Sequence, residues 1–205
     1  MVDERLVDER LDAGVFQLRF NRGQLLQAEL RLGRHRKRLP RVLAGAVNDT
    51  ARWAVTQIGR AIRDKVAMKQ SDIKPHIKRT RATAAQPSAR ITLSRSERLS
   101  LKRFGARQTK RGVSYRIERA GGRKRIDGAF IVDSLGGHVY RRTGPERLPI
   151  TKLHGPSPWG LFRAAGLITP TQTAISRQLG LSLRQRVRLE VLRANGKVGR
   201  GRGGN

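Results

Sequence analysis

The residue types that could perform catalysis or hold a metal ion are few and scattered in this chain. Its four histidines, His35, His76, His138 and His154, show no paired spacing with carboxylates of the kind that zinc or iron sites use. The chain has no cysteine, which excludes thiolate chemistry and disulfides. It also lacks a Gly-Lys-Ser/Thr phosphate-binding loop and a Gly-x-Ser-x-Gly nucleophile turn. We therefore predict no catalytic residue, no metal site and no cofactor, with each histidine on the surface or in a strand.

Two carboxylates leave one enzymatic alternative open. A nuclease generally needs clustered Asp and Glu side chains to hold divalent ions. Asp127 and Asp133 are the pair that comes nearest to this pattern, in a central region with very few acids. A small DNA-processing enzyme is thus an alternative, and magnesium-dependent cleavage that requires these two residues would support it.

Positive charge is the chemistry that the chain offers most strongly. Lysine and arginine number 45 against 15 aspartates and glutamates, a formal net charge of +30. Such a surface repels copies of itself and attracts polyanions or acidic proteins. We expect a cluster before residue 39 and the loop 105–111 to contact a partner or nucleic acid, although a charged run can also remain solvated. The residues concerned are Arg34, Arg36, Lys37, Arg38, Arg107, Lys110 and Arg111.

Aromatic residues make up only 4% of the chain, so the positions of the large ones are informative. Trp53 lies on the flank of a helical stripe, and Trp159 and Phe162 fall on a short helix that can dock on a sheet. We expect all three to pack in a core edge or a subunit contact, because aromatic anchors usually do so. Only Phe104 and Tyr115 lie where bases could stack on basic strands, which weakens the alternative of a general nucleic-acid-binding protein.

Helical periodicity appears in two long segments that must position these side chains. Apolar residues recur every three or four positions from 39 to 68 and again from 170 to 195, which predicts two amphipathic helices. Shorter helices are expected over 24–32, 71–81 and 158–165. The first long stripe consists of Leu39, Leu43, Val47, Ala51, Ala54, Ile58, Ile62 and Val66, and the second of Ile175, Leu179, Leu183, Val187 and Val191.

Alternating patterns predict strands in the middle of the chain. They cover 89–94, 99–104, 112–118, 129–132, 138–142 and 148–153, with turns at Gly121-Gly122 and Gly136-Gly137. Pro149 has no N–H to donate, so the last strand lies at an edge or begins to pair after it. The predicted fold class is α+β, with a long N-terminal helix and a C-terminal helix packed on an antiparallel sheet or small barrel of about six strands.

The stretch 128–157, GAFIVDSLGGHVYRRTGPERLPITKLHGPS, resembles the signature of the minor tail protein Z family of long-tailed bacteriophages, also described as tail completion proteins. The similarity extends more loosely from 39 to 192. It implies a structural virion protein, not an enzyme, assembled in the host cytoplasm. The implied site is the neck, at the head-proximal end of the tail. The implied partners are the tail terminator, the head–tail connector and neck proteins, with copies of the chain forming a hexameric ring and genome DNA in the lumen as a further candidate.

The chain divides by composition into three parts. Residues 1–38 read as an acidic and basic N-terminal arm with a short helix, residues 39–195 as one α+β domain, and residues 196–205 as a flexible Gly/Arg tail. The arm begins with the repeat VDERL-VDERL, which is too short for a solenoid and acidic enough to dock on a basic neighbour. No apolar run approaches the roughly 20 residues of a membrane helix, so we expect no membrane contact.

Overall fold

A computed structural model describes residues 14–196 of the 205-residue chain. The VDERL repeat and the GRGRGGN tail lie outside these residues. The described chain groups into two compact units. The sheet unit contains Gly14, Gln57–Lys78 and Leu93–Ile168, and the helix unit contains Val15–Thr56, Arg79–Thr92 and the described part of Thr169–Asn205. The predicted division of the chain at residues 38 and 195 stays a prediction.

The helices within residues 14–196 follow the predicted periodicity in the long segments. They are α1 (Arg22–Leu32), α2 (Leu39–Lys65), α3 (Gln70–Ile73), α4 (Pro158–Ala164) and α5 (Ile168–Ala194), with 3-10 turns at Gly33–Arg38, Lys74–His76, Leu101–Phe104 and Asp133–Leu135. The eight residues of the first predicted stripe are all buried, and four of the second are buried while Val191 is half-buried. Both long amphipathic helices are therefore confirmed.

The strands form three three-stranded sheets. The strands are β1 (Val15–Leu18), β2 (Ile77–Arg79), β3 (Ala89–Leu93), β4 (Arg107–Thr109), β5 (Gly112–Tyr115), β6 (Lys124–Asp127), β7 (Ala129–Val132), β8 (His138–Arg142) and β9 (Ile150–Lys152). Their orders are β1-β3-β2, β4-β5-β6 and β7-β8-β9. The pairings of β1 with β3, of β5 with β4 and β6, and of β8 with β7 and β9 are antiparallel. The α+β class is confirmed, with the strands distributed over small sheets.

Local chemistry determines where α1 and α4 begin. The Asn21 side chain accepts a hydrogen bond from the Gln24 N–H at 2.8 Å, and the Gln24 side chain accepts one from the Asn21 N–H at 3.0 Å. This reciprocal capping box satisfies two donors that a helix start would otherwise leave unpaired. Ser157 caps α4 in a similar way, through a 3.1 Å bond from the Gly160 N–H, with Pro158 in the first turn.

Two predicted elements were wrong in their ends or type. The helix expected over 71–81 ends at Ile73, because Pro75 supplies no N–H for a continuing ladder, and the chain enters β2 at Ile77. The segment 99–104 is not a strand. Leu101 and Phe104 are both buried and stand three residues apart, which fits the 3-10 turn observed there better than period two.

The β7-β8-β9 sheet agrees with the predicted strands but not with the predicted two-residue turn. Val132 pairs with His138, so five residues connect β7 and β8, and Gly136 and Gly137 close the connection with φ values of 77° and 66°. Pairing of β9 begins at Ile150, directly after Pro149. A prolyl nitrogen has no hydrogen to donate, which explains the late start.

Each unit has its own apolar core. In the helix unit, α1 contributes to a cluster with α2 and α5 that consists of Ala28, Leu32, Leu39, Val42, Leu43, Ala46, Leu183 and Val187. Beside it, Thr50 donates to Ser182 at 3.0 Å and Arg186 donates to Asp49 at 2.6 Å.

Burial would raise the pKa of Asp49, but hydrogen bonds from Arg186 and Arg52 outweigh burial and hold the pKa below its usual range.

Candidate interaction surfaces

The basic cluster before α2 lies on the 3-10 turn Gly33–Arg38 in the helix unit. Four of its side chains, those of Arg34, Arg36, Lys37 and Arg38, are exposed, and His35 is half-buried. A 3-10 turn repeats every three residues, so side chains point in several directions instead of forming one stripe. The structure thus places all four predicted cations at the surface without giving them a common face.

Two of these cations are held by α5. Arg38 Nη1 lies 2.6 Å from Glu190 Oε1, and Arg34 Nη2 donates to Asn195 Oδ1 at 3.4 Å. Arg36 and Lys37 form no ion pair with any described residue. The contacts of Arg34 and Arg38 therefore attach the turn to the end of α5, while Arg36 and Lys37 remain available to an external partner.

The second basic cluster lies on a hairpin and not on the loop that the sequence predicts. Arg107 is in β4, and Lys110 and Arg111 form the two-residue connection to β5, with Thr109 paired to Gly112. The three cations are exposed, and none has an ion-pair partner among the residues that the structure describes. The expectation of a loop over 105–111 was wrong for 107–109, which pair with the next strand. The side chain of Gln108 donates to the Gly112 carbonyl at 3.1 Å, and its Oε1 accepts from the Ile131 N–H at 2.9 Å.

The aromatic residues expected to pack occupy different environments. Trp159 and Phe162 are buried in the sheet unit, with ring centroids 6.0 Å apart and ring planes 23° apart. The Trp159 N–H of the backbone donates to the Ser94 carbonyl at 3.1 Å. Trp53 is half-buried on α2. A role of any of these three in subunit contacts stays a prediction.

The sheet unit carries an open cleft of about 960 Å³ that the sequence did not reveal. Its lining comes from the end of α2 with the segment 67–72 that follows it, from the chain between 100 and 105, from the chain after β5 and from His138. These parts lie as far apart in sequence as 63 and 138, so no local motif could have predicted the site. The cationic residues that line it are Arg63, Lys69, Lys102, Arg103, Arg116 and Arg119.

Charge in this cleft is weakly compensated. Asp72 is its single acidic lining residue, and its Oδ1 lies 3.9 Å from Arg103 Nη1. Arg103 Nη1 also donates to the Asp72 carbonyl at 2.8 Å. Arg63 pairs with Asp64 at 2.8 Å. Lys69, Lys102, Arg116 and Arg119 have no ion pair with any residue in the range 14–196, so the cleft keeps a surplus of positive charge.

Hydrogen bonds hold part of the cleft wall in place. Arg119 Nε donates to the Arg63 carbonyl at 2.5 Å, and Lys102 Nζ donates to the Gly136 carbonyl at 2.8 Å. His138 Nδ1 lies 2.9 Å from Ser100 Oγ. Burial and then the nearby cations Lys152 and Lys102 lower the pKa of His138, which disfavours its charged form. The positive charge of the cleft therefore comes from lysine and arginine.

The residues considered for metal or nuclease chemistry do not converge. Asp127 accepts a hydrogen bond from Arg125 Nε at 2.6 Å. Within residues 14–196, no three His, Asp or Glu side chains form a group that could hold a metal ion. The expectation of surface or strand positions was wrong for His76, which is buried, with Nδ1 2.8 Å from Glu97 Oε2 and Nε2 3.3 Å from Arg103 Nη1.

Comparison with known proteins identifies the family of the chain. None of the helices described here is long and apolar enough to cross a membrane. No curated protein and no solved structure is significantly similar to the chain. A family model described as prophage minor tail protein Z (GPZ) matches residues 25–193, from within α1 to near the end of α5. Proteins of this family are structural, non-enzymatic components of phage tails and hence of the virion. Because the match covers well over half of its 205 residues, the chain belongs to the prophage minor tail protein Z family.

Proposed function

We propose that this tail protein completes the head-proximal end of the tail, at the neck, where it contacts the tail terminator and the head–tail connector. The match to the tail protein family over residues 25–193 is the observation that carries the proposal. A protein at such a junction needs surfaces for different neighbours. The Gly33–Arg38 turn lies in the helix unit and the β4–β5 hairpin in the sheet unit, so each unit carries one basic cluster.

The unpaired cations indicate what kind of neighbour these surfaces fit. Arg36 and Lys37 on the turn, and Arg107, Lys110 and Arg111 on the hairpin, are exposed and lack ion-pair partners among the described residues. Opposite charge on a partner steers the association of the two proteins and determines how their surfaces align. We infer that the surfaces receive acidic patches of the neighbouring neck proteins.

The net charge also favours a particular order of assembly. Subunits that carry a net charge of +30 repel one another in solution. A ring of them is stable once an acidic partner offsets that repulsion. We propose that the chain is monomeric when isolated and forms a ring on the tail, with the sixfold symmetry usual for such tails.

Charge reversal on the two surfaces tests the proposal. Two double variants reverse the charge, Arg36→Glu with Lys37→Glu and separately Arg107→Glu with Lys110→Glu. Each should reduce the titre of infectious particles by at least about tenfold, because the new glutamates would face an acidic patch and like charges at an interface cost more than about 1.4 kcal/mol. The measurement is complementation of a phage that lacks the corresponding gene, with electron microscopy to count tails that are joined to heads. A cryo-EM map of the particle would locate the protein.

A matched control is available on α5. Arg177→Glu with Arg188→Glu makes the same change in charge at two exposed residues without ion pairs in the described chain, and it should leave the titre within about twofold of wild type. Normal titres from both surface variants would contradict the roles of the clusters. Absence of the protein from finished particles would contradict the whole proposal.

A further inference from the structure

The open cleft of the sheet unit is not explained by a structural role in the tail. It combines six cationic lining residues with one acid and leaves four cations without a carboxylate partner in the described chain. Clustering like charges costs free energy, since each pair repels through a region of reduced dielectric. We propose that this cleft binds the phosphodiester backbone of duplex DNA, independently of base sequence.

The dimensions and donors of the cleft fit a chain of phosphates. Its volume of about 960 Å³ is at the upper end of small-molecule sites and exceeds what one phosphate needs. Four of the six cations are arginines, whose planar guanidinium binds two phosphate oxygens at once. Ser71, Gln70 and Ser100 add neutral polar groups to the lining. Phosphate contacts in protein–DNA complexes use these same side-chain types.

The lining also argues against an acidic protein as the ligand. Protein interfaces depend on a few buried aromatic or apolar anchors at their centre. Among the described lining residues, the apolar side chains are those of Ala67 and Met68, and Met68 is buried. A cationic surface that lacks buried aromatic or apolar anchors is suited to a nucleic acid, because the duplex carries one phosphate charge about every 1.7 Å.

The lack of Phe, Tyr and Trp in the lining bears on which nucleic acid fits. Proteins that bind single strands stack the bases on aromatic side chains, and none of these three residue types lines the cleft in the described part of the chain. The one imidazole among the described lining residues, that of His138, lies 2.9 Å from Ser100 Oγ through its Nδ1. Contacts to phosphate alone carry no sequence information. Duplex DNA of any sequence is therefore the expected ligand.

The test measures the salt dependence of DNA binding by the purified full-length protein. The variant Lys69→Gln with Arg116→Gln removes two exposed cations of the cleft. Their side chains form no hydrogen bond or ion pair with the described residues, so the fold should be retained. Circular dichroism and a melting curve check this. We expect the slope of log K against log salt to become shallower by about 2, since each lost phosphate contact removes about 0.9. The probe is a short labelled duplex of mixed sequence.

A control pair distinguishes the cleft from diffuse attraction. Arg177→Gln with Arg188→Gln removes the same charge from two exposed positions of α5 and should leave the slope within about 0.5 of wild type if the cleft is the site. Equal losses from both pairs would overturn the proposal, and so would tighter binding to a single strand than to the duplex. Polyglutamate that displaces DNA at equal charge concentration would also overturn it in favour of an acidic protein.

The DNA site extends the proposed role at the tail end, because it would bring the genome into contact with the protein. Binding to the isolated protein does not depend on where the protein lies in a particle. A wild-type protein that lies in the virion but does not bind duplex DNA would therefore reject the cleft proposal alone, and DNA binding by a protein absent from virions would reject the tail-end role alone.

Discussion

At the scale of single residues, Gly112 determines the geometry of the basic hairpin. Its φ is 153°, and a Cβ at this position would lie 2.1 Å from the Ile126 carbonyl oxygen. Both β4 and β6 pair with β5, so the backbone of Gly112 lies between two strands. A glycine is needed here because the neighbouring backbone leaves no room for a side chain.

We expect Gly112→Ala to destabilise the protein by about 3 kcal/mol or more, because the residue would combine a strained φ with displacement of backbone atoms. Urea unfolding followed by circular dichroism measures the free energy of unfolding, and hydrogen exchange in β4, β5 and β6 shows where the protection is lost. The control is Gly122→Ala, where nothing lies within 4 Å of an added Cβ. That change should alter stability by less than about 1 kcal/mol. Equal effects of the two substitutions would contradict the close approach seen at Gly112.

At the scale of elements, α1 belongs to the core of the helix unit. Ala28 and Leu32 of α1 are buried in the cluster with α2 and α5, and the family match begins at residue 25, which is also inside α1. The sequence places this helix in an arm before residue 39, with a dense basic cluster after it. The structure adds that residues 28 and 32 contact two helices that are distant in sequence.

Two leucines on α1 test this packing. Leu32 is 1% exposed and Leu30 is 74% exposed. We expect Leu32→Ala to lower the free energy of unfolding by about 2–5 kcal/mol, because it leaves a cavity in the core, and Leu30→Ala to change it by less than about 0.5 kcal/mol. Thermal and urea unfolding of both variants measure the difference. A small effect at Leu32 would show that α1 is a detachable arm in solution.

At the scale of the whole molecule, net charge opposes the compact state. The formal charge of +30 concentrates like charges when the chain folds. The described residues contain seven ion pairs, one of them between His76 and Glu97, and all seven have at least one partner whose side chain is more than a third exposed. Exposed pairs contribute little to stability, so repulsion dominates the electrostatic balance.

We therefore expect salt to stabilise the isolated protein. Raising sodium chloride from about 0.02 M to about 0.5 M shortens the Debye length from over 20 Å to below 5 Å and should raise the melting temperature by several degrees. Differential scanning calorimetry in a chloride buffer avoids specific binding by phosphate or sulfate. A melting temperature that falls as chloride rises would mean that the ion pairs outweigh the repulsion.

The sequence by itself determined the α+β class, the two long helices, several strands and the positive charge. Hydrophobic periodicity records which face of an element is buried, so the stripes from Leu39 to Val66 and from Ile175 to Val187 could be predicted without a structure. Pro149 likewise predicted that the last strand lies at an edge or begins to pair after it, and pairing of β9 begins at Ile150.

Only the tertiary structure decided which segments meet. Periodicity does not say which partner covers a buried face, and the side chains of the cleft come from positions as far apart as Arg63 and His138. The type of the 99–104 segment and the attachment of Arg38 to Glu190 depend in the same way on neighbours that are distant in sequence. The cleft could not be predicted because convergence of charge is a property of the path of the chain, which local patterns do not encode.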